Sequence, residues 1–226
     1  MSLMLSCPQF SEVITFQENT VHTLVLENPT ACYAFLSDLI QQQAGGEGNF
    51  VLSEHFEPIS LSKYTELITE PLTVQPNTRT ILTKLYAQLA KTANDESHFA
   101  ALSGLQANIE SFLYSVCETQ ENDLIFTQGM ELTQLFKSVD VQFDFSAERP
   151  LAERLLDYMR ICREYLGIKL FVLYNVKAVL EKVELEALCR ELFYRKIPIL
   201  LVQSSECYRL DSEMQWILDN DLCEIY

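Results

Sequence analysis

The residues that could bind a nucleotide lie between a predicted strand and a predicted helix near the amino terminus. The apolar run 22–26 (HTLVL) leads through residues 27–30 (ENPT) into a helical segment that begins at Ala31. A phosphate-binding loop at such a junction needs glycines, which let backbone N–H groups approach the phosphates, and a lysine that neutralises their charge. The junction has neither, and Glu27 places a negative charge where a phosphate would lie. The sequence therefore predicts a nucleotide-binding type of fold that serves as a scaffold.

A second position supports the same interpretation. The apolar run 168–174 (IKLFVLY) ends at Asn175, where an active NTPase would keep a carboxylate that binds magnesium. A carboxamide is a poor ligand for that ion. The segment 204–206 (SSE) also lacks the flanking glycines of a nucleophile elbow. We therefore predict no hydrolysis of ATP, no bound nucleotide and no enzymatic activity.

A cluster of carboxylates follows the second long helical pattern. Glu118, Glu121 and Asp123 lie within the stretch 92–136, which contains no Lys or Arg. Calcium prefers several oxygen ligands in one small volume, and a helix end supplies carboxylates together with free carbonyl groups. The spacing is not that of an EF-hand, and acidic turns at helix ends commonly face water. A calcium site at Glu118, Glu121 and Asp123 and a water-facing turn both fit the pattern.

The net charge restricts what the surface can bind. The chain has 16 basic and 32 acidic residues, a formal net charge of −16, which disfavours nucleic acid as a partner. The basic residues are unevenly distributed, however. Residues 1–62 contain none, residues 63–136 contain four and residues 137–226 contain twelve. Any anion-binding surface must therefore be local, and an acidic surface that only confers solubility is the alternative.

Composition indicates a globular protein. With 226 residues and 48% hydrophobic content, the chain can form one sizeable core, or a core and a smaller second one. The seven cysteines are odd in number and form no C-x-x-C pair, as expected for reduced thiols. No stretch approaches the roughly 20 apolar residues that cross a bilayer. We expect a cytoplasmic protein with no membrane partner.

Three segments follow one another along the chain. Residues 1–76 contain short strand patterns and one helix, residues 77–136 are helical, and residues 137–226 alternate between strands and helices. We predict an α/β fold with a degenerate P-loop NTPase-like head. Its sheet is of the parallel type and is formed by both chain ends, 1–76 and 137–226. An α-helical leg domain, 77–136, is inserted between them.

Within these segments the patterns predict particular elements. Two helices of the leg, joined by a short loop, carry long apolar stripes and are expected to form an antiparallel pair. The alternation in 139–145 predicts a strand. The runs 168–174 and 197–202, with the helix 184–195 between them, predict a βαβ unit of buried parallel strands. The last segment, 222–226, is expected to be an edge strand.

Four segments give the sequence its resemblance to a known family. Over essentially its whole length it is similar to the small accessory protein of type II-A CRISPR systems, the Csn-two family. The residues that carry the resemblance are 23–29 (TLVLENP), 135–139 (LFKSV), 170–175 (LFVLYN) and 216–226 (WILDNDLCEIY). None of these segments is a catalytic signature.

The resemblance implies a non-enzymatic role in the acquisition of new spacers. Members of the family have a degenerate nucleotide-binding-like head and a helical leg, and they assemble as ring-shaped homotetramers. They bind the ends of double-stranded DNA through a central hole lined by lysines. Calcium supports the ring and DNA binding, and the partners are the CRISPR integrase proteins and the type II effector nuclease.

The candidates for DNA contact are basic side chains in the leg and in the second half of the chain. Each is expected to contact phosphate without reading bases. Because residues 1–62 lack Lys and Arg, that segment contributes no such contact. Two other functions remain open: a nucleotide-binding protein or NTPase with a modified phosphate loop, and an acidic protein-interaction adaptor. The candidate DNA-binding residues are Lys84, Lys91, Lys137, Lys177, Lys182, Arg195 and Lys196.

Overall fold

A computed structural model describes residues 3–127 and 129–225. The chain divides into two units. The head unit comprises the chain up to Pro76 and from Phe145 onward, and the leg unit comprises Asn77–Asp144. The sequence predicted that the leg ends at residue 136, whereas the leg unit extends to Asp144. Each unit has its own helices, and both sheets belong to the head unit.

The elements follow in chain order. The strands are β1 Leu3–Ser6, β2 Ile14–Phe16, β3 Val21–Leu26, β4 Val51–Glu54, β5 Glu57–Ile59, β6 Thr65–Ile68, β7 Leu170–Tyr174, β8 Ile199–Gln203, β9 Glu213–Leu218 and β10 Glu224–Ile225. The helices are α1 Pro29–Gln43, α2 Leu61–Tyr64, α3 Arg79–Ala93, α4 Phe99–Cys117, α5 Leu132–Ser138, α6 Leu151–Ile161 and α7 Lys182–Tyr194. A π-helical turn, Cys162–Leu166, continues α6 and ends at Gly167, whose φ of 74° is left-handed.

The larger sheet has six strands in the order β10-β9-β3-β8-β7-β6. All neighbours are parallel except β10, which pairs antiparallel with β9. Every residue of β3 and β8 is buried, because neighbouring elements cover both faces of the central strands. The helix α7 connects the adjacent parallel strands β7 and β8, so the predicted βαβ unit is confirmed.

The smaller sheet is antiparallel, with the order β2-β1-β4-β5. The sequence predicted a single sheet of parallel type and is wrong here, because the first two strands and the hairpin β4–β5 form a sheet of their own. In β2, Ile14 and Phe16 are buried while Thr15 is exposed, the alternation of a sheet with one covered face. The chain is therefore an α/β protein with mixed sheets.

One hydrophobic core in the head unit joins the two sheets. Leu5 and Leu52 contribute from the smaller sheet, and Leu24 and Leu200 contribute from the larger one. Phe35 of α1 packs edge-on against Phe50, with ring centroids 5.0 Å apart. This shared core holds the amino end of α1 against the end of β3.

In the leg unit, α3 packs against α5. The buried side chains of α3 include Leu85 and Tyr86, and the Tyr86 ring lies 6.5 Å from that of Phe136 in α5. The predicted antiparallel pairing of α3 with α4 is wrong. In the helix α4, which lies wholly in the described range 3–127, no side chain is fully buried, and Leu102, Ile109 and Leu113 are half-buried.

The predicted strand at residues 139–145 is also absent from this part of the described chain. Asp140 has a left-handed φ of 51°, which breaks an extended conformation. The backbone N–H of Phe143 donates to Asn77 Oδ1 (2.9 Å), and the Phe143 carbonyl accepts from Asn77 Nδ2 (3.0 Å). A side chain thus replaces the neighbouring strand as hydrogen-bond partner.

Among the described residues, no helix is both long and apolar enough to cross a membrane.

Candidate nucleic-acid interface

At the junction between β3 and α1, where a phosphate-binding loop would lie, a side chain caps the start of the helix. Asn28 is the N-cap of α1, and its Oδ1 accepts hydrogen bonds from the backbone N–H groups of Thr30 (3.0 Å) and Ala31 (3.1 Å). Pro29, which has no N–H, occupies the first turn. Since the free N–H groups at a helix start are what binds an anion, a side-chain cap uses up the donors that a phosphate would need.

The cap also anchors the junction to the carboxyl-terminal part of the chain. Asn28 Nδ2 donates to the Asn220 carbonyl at 2.9 Å, and the backbone N–H of Glu27 donates to the Leu218 carbonyl at 3.0 Å. The Glu27-to-Thr30 segment is therefore fixed by contacts within the head unit. Its hydrogen bonds link the end of β3 and the start of α1 to the segment that follows β9.

Asn175, at the end of β7, has a structural role. Its backbone is left-handed, with φ of 48°, a conformation that asparagine adopts more readily than most residues. Its Oδ1 accepts hydrogen bonds from Ser204 N (2.9 Å) and from Ser204 Oγ (3.2 Å). The carboxamide thus joins the ends of β7 and β8, and it presents no carboxylate to a metal ion.

The three candidate lysines of the leg unit are exposed. Lys84 and Lys91 lie on α3, and Lys137 lies in the last turn of α5, which packs against α3. None of the three has a carboxylate within ion-pair distance in the part of the chain that the structure describes. Their charges are therefore available to a polyanion.

The candidate cations on the surface of the head unit are paired with acids. Lys182 Nζ lies 3.1 Å from Asp211 and 3.5 Å from Glu186. Arg195 lies 3.7 Å from Glu191, and Lys196 lies 3.4 Å from Glu18. These pairs are partly or largely exposed, so each is weak and a phosphate competes with the carboxylate for the cation. Sequence reasoning missed this pairing because the partners of Lys182 and Lys196 include residues distant in the chain.

Lys177 requires a correction. It was predicted to contact DNA, but its side chain is 1% exposed. Its Nζ forms an ion pair with Glu213 at 2.5 Å and donates to the Tyr208 carbonyl at 2.9 Å. A buried ammonium group with two partners is not available to a phosphate.

The acidic cluster does not form a ready metal site. Glu118 is the C-cap of α4, and Glu118, Glu121 and Asp123 are all exposed. Within residues 3–127 and 129–225, no three His, Cys, Asp or Glu side chains are arranged to hold a metal ion. Calcium binding at these carboxylates stays a prediction, and it requires the chain after α4 to rearrange or to receive ligands from elsewhere.

Comparison with known families decides the broad class. Residues 42–222 match the profile of the CRISPR-associated protein family Cas_Csn2. The chain belongs to the Csn2 family. This is the Csn-two family to which the sequence shows its resemblance, and the match covers most of both units. No match was found among curated proteins.

One solved structure, the first of the three below, agrees with an α/β fold for this Csn2 family member. Stu0660 of Streptococcus thermophilus is similar with a TM-score of 0.56 and 14% identity, covering 100% of this chain and 76% of that one. A putative ABC transporter ATP-binding protein from Pyrococcus furiosus has a TM-score of 0.40 and 10% identity, covering 95% and 97%. The protein cbiO1 from Clostridium perfringens, part of an ABC transporter complex, has a TM-score of 0.45 and 8% identity, covering 91% and 80%.

The apolar surface of α4 is a further feature of this Csn2 family member. A stripe of apolar residues was apparent in the sequence, but sequence reasoning assigned it to packing against α3. A helix with this much exposed apolar surface normally packs against a partner. Its large exposed side chains include Phe99 (65% exposed), Leu105 (42%), Phe112 (66%) and Val116 (44%).

Proposed function

We propose that this protein binds the ends of double-stranded DNA without sequence preference, as a ring-shaped homotetramer that takes part in spacer acquisition. It acts without catalysis. Membership of a CRISPR-associated family supports the biological context. The observation that carries the DNA-binding proposal is the set of three exposed, unpaired lysines in the leg unit, in a chain with net charge −16.

The charge argument favours binding to phosphate over readout of bases. Flexible lysines are point charges, and the described chain shows no aromatic-rich basic surface that would stack on bases. With an acidic surface elsewhere, duplex DNA is attracted only where the free lysines lie. We infer that the proposed ring is basic toward its central hole and acidic outside.

The exposed face of α4 supports assembly from copies of the same chain. Leu105, Phe112 and Val116 share one exposed face of this helix and would lose accessible surface in an interface, and burying large apolar side chains contributes strongly to association. We assign this face to a second copy of the chain in the proposed tetramer. The CRISPR integrase proteins and the type II effector nuclease are the proposed partners of the assembled ring.

The two alternatives differ in what they require of the head unit. A nucleotide-binding protein or NTPase needs free N–H groups at the start of α1, which Asn28 occupies. We therefore propose that the head derives from a P-loop NTPase-like fold and no longer binds nucleotide. An acidic protein-interaction adaptor would need no free lysines, so DNA retention at low salt separates it from the proposed function.

The test uses linear duplex and closed circular DNA of the same sequence. We expect binding to the linear form that weakens steeply with added salt, and weaker binding to the closed circle, because only free ends thread a ring. A strong preference for one sequence, or affinity insensitive to salt, would contradict the proposal. ATP with magnesium should leave the melting temperature unchanged, and an increase would instead favour the nucleotide-binding alternative.

A further inference from the structure

A cavity of about 200 Å³ lies in the head unit at the amino-terminal ends of the parallel strands. Thr20 and His22 line it at the start of β3, Pro198 and Ile199 line it at the start of β8, and Lys169 precedes β7. The Glu27-to-Thr30 junction lies at the other end of β3. The cavity is therefore separate from the position of a phosphate loop.

The size of the cavity and its apolar lining suit a single ring. A cavity of about 150 Å³ in another protein holds benzene, so this one has room for a ring with one small substituent. Phe16 and Ile197 are buried in its wall, and Phe193 and Pro198 add further apolar surface. The apolar surface favours the body of an aromatic molecule.

The charged residues in the lining leave one positive charge without a carboxylate. Lys169 pairs with Glu54 at 2.6 Å, and Lys196 pairs with Glu18 at 3.4 Å. Arg163 also lines the cavity. Its Nη1 donates to the carbonyl groups of Arg195 (2.9 Å) and Lys196 (2.6 Å), and no carboxylate of the described chain pairs with it.

Arg163 is thus a guanidinium group fixed in place by two carbonyl acceptors. These hydrogen bonds leave its charge uncompensated and its other nitrogens without partners among residues 3–127 and 129–225. Guanidinium groups bind carboxylates through paired hydrogen bonds, and this geometry is better fixed when the side chain is already held.

His22 places a buried ring in the wall of the cavity. It lines the cavity between the rings of Phe16 (centroids 5.0 Å apart) and Trp216 (5.9 Å), and its side chain is buried. Its ring nitrogens are enclosed beside the backbone of Thr15 and Thr20 and have no accessible surface. Burial lowers the pKa of His22 to about 4, although hydrogen bonds to the Thr15 and Thr20 backbone act in the opposite direction, so the ring is neutral at pH 7. The ring of His22 can therefore report what occupies the cavity.

We propose that this cavity binds a small monocyclic aromatic carboxylate, with its ring against the apolar wall and its carboxylate on Arg163. The site carries one uncompensated positive charge, so it selects a monoanion. The proposal does not depend on DNA binding or on the oligomeric state.

The test is a titration of the full chain with sodium benzoate, followed by the ring C–H signals of the histidines in the NMR spectrum. Of the three histidines of the chain, His22 lines the cavity, whereas His98 lies in the leg unit and serves as the internal control. We expect a saturable shift of the His22 signals at millimolar benzoate and no shift at His98. Benzamide, which has the ring without the charge, and acetate, which has the charge without the ring, should each bind about tenfold more weakly or worse.

Arginine variants locate the anchor. Arg163→Gln should weaken benzoate binding by about tenfold or more, since it removes a charged hydrogen-bond partner. Arg160→Gln, on the same stretch of helix but outside the cavity lining, should leave it unchanged. Unmoved His22 signals, equal binding of benzoate and benzamide, or equal effects of the two variants would each overturn the proposal. The benzamide comparison uses the unaltered protein, so it decides even if Arg163→Gln does not fold.

Discussion

Lys177 Nζ lies 2.5 Å from Glu213 Oε1, and the two side chains are only 1% and 0% exposed. Lys177 follows β7, and Glu213 is the first residue of β9, so the pair joins distant parts of the head unit. The other oxygen of Glu213 accepts a hydrogen bond from the Leu210 backbone at 2.7 Å. The interior of the head unit thus contains a fully enclosed ion pair.

Lys177→Met should therefore destabilise the protein strongly. Removing one partner leaves an uncompensated buried charge on Glu213, which typically costs about 3–5 kcal/mol. The measurement is the free energy of unfolding in urea. The double variant Lys177→Met, Glu213→Leu should recover much of the stability, because both charges are then absent. If Lys177→Met alone is as stable as the unaltered protein, the pair is not enclosed as described.

Lys177 also shows where sequence reasoning succeeds and where it stops. The strands β7 and β8 were predicted correctly, because a continuous apolar run in an α/β pattern indicates a buried parallel strand. Nothing local distinguishes Lys177 from a surface lysine, since its partner Glu213 lies 36 residues away. Its burial follows from tertiary packing, so it was wrongly assigned to the DNA-binding surface.

The strands β6 and β9 were missed for a related reason. Glu66 interrupts the apolar pattern of β6, yet its carboxylate accepts a hydrogen bond from the Tyr158 hydroxyl at 2.6 Å. Burial raises the pKa of Glu66, as expected for a carboxyl group turned toward the interior. In β9, Gln215 is buried and its Oε1 accepts from Arg209 Nε at 2.7 Å. Polar residues satisfied by distant or irregular partners hide a strand from pattern analysis.

Asn28→Ala should destabilise the head unit by about 0.5–2 kcal/mol, the usual cost of removing an N-cap side chain. The substitution also removes the hydrogen bond that Asn28 Nδ2 donates to the Asn220 carbonyl. Asn28→Ser retains a cap oxygen and serves as the matched control, with a smaller destabilisation. Both are measured by urea unfolding, and equal destabilisation in the two variants would show that the cap contributes little.

The leg lysines should control DNA affinity. In the triple variant Lys84→Gln, Lys91→Gln, Lys137→Gln we expect weaker binding to linear duplex DNA than in the unaltered protein, because each lysine neutralises phosphate. The slope of log affinity against log salt should become shallower by about one for each phosphate that the variant no longer neutralises.

The matched control removes the same number of charges from the head unit. Lys182→Gln, Arg195→Gln, Lys196→Gln should have a smaller effect, since these cations already pair with carboxylates. Affinity is measured by fluorescence anisotropy over a range of salt concentrations. Equally weakened binding in the two triple variants would show that the ion pairs of Lys182, Arg195 and Lys196 do not prevent these residues from binding DNA.

Phe112→Ser should reduce assembly and leave the fold of each chain intact. Phe112 is 66% exposed on α4, so it contributes little to its own chain, whereas truncation of a buried aromatic in an interface commonly costs about 2 kcal/mol or more. Tyr194→Ser, at an 85% exposed position on α7, is the control. The measurement is the mass distribution by sedimentation velocity, with circular dichroism as a check on folding. Unchanged assembly in Phe112→Ser would exclude this face from the interface.

Calcium should favour the tetramer and strengthen DNA binding if Glu118, Glu121 and Asp123 share a cation. Without the ion, like charges repel one another at the end of α4, whose apolar face is the proposed interface, so binding of the cation would order the segment that follows this helix. Magnesium should act more weakly, because it retains its waters and requires a strict octahedral geometry.

The double variant Glu121→Gln, Asp123→Asn should lose the calcium response, while the double variant Glu148→Gln, Glu164→Gln, with the same change in charge, should keep it. The measurements are the tetramer fraction and the DNA affinity as calcium is titrated. If Glu121→Gln, Asp123→Asn responds as the unaltered protein does, these carboxylates only face water and any calcium binds elsewhere.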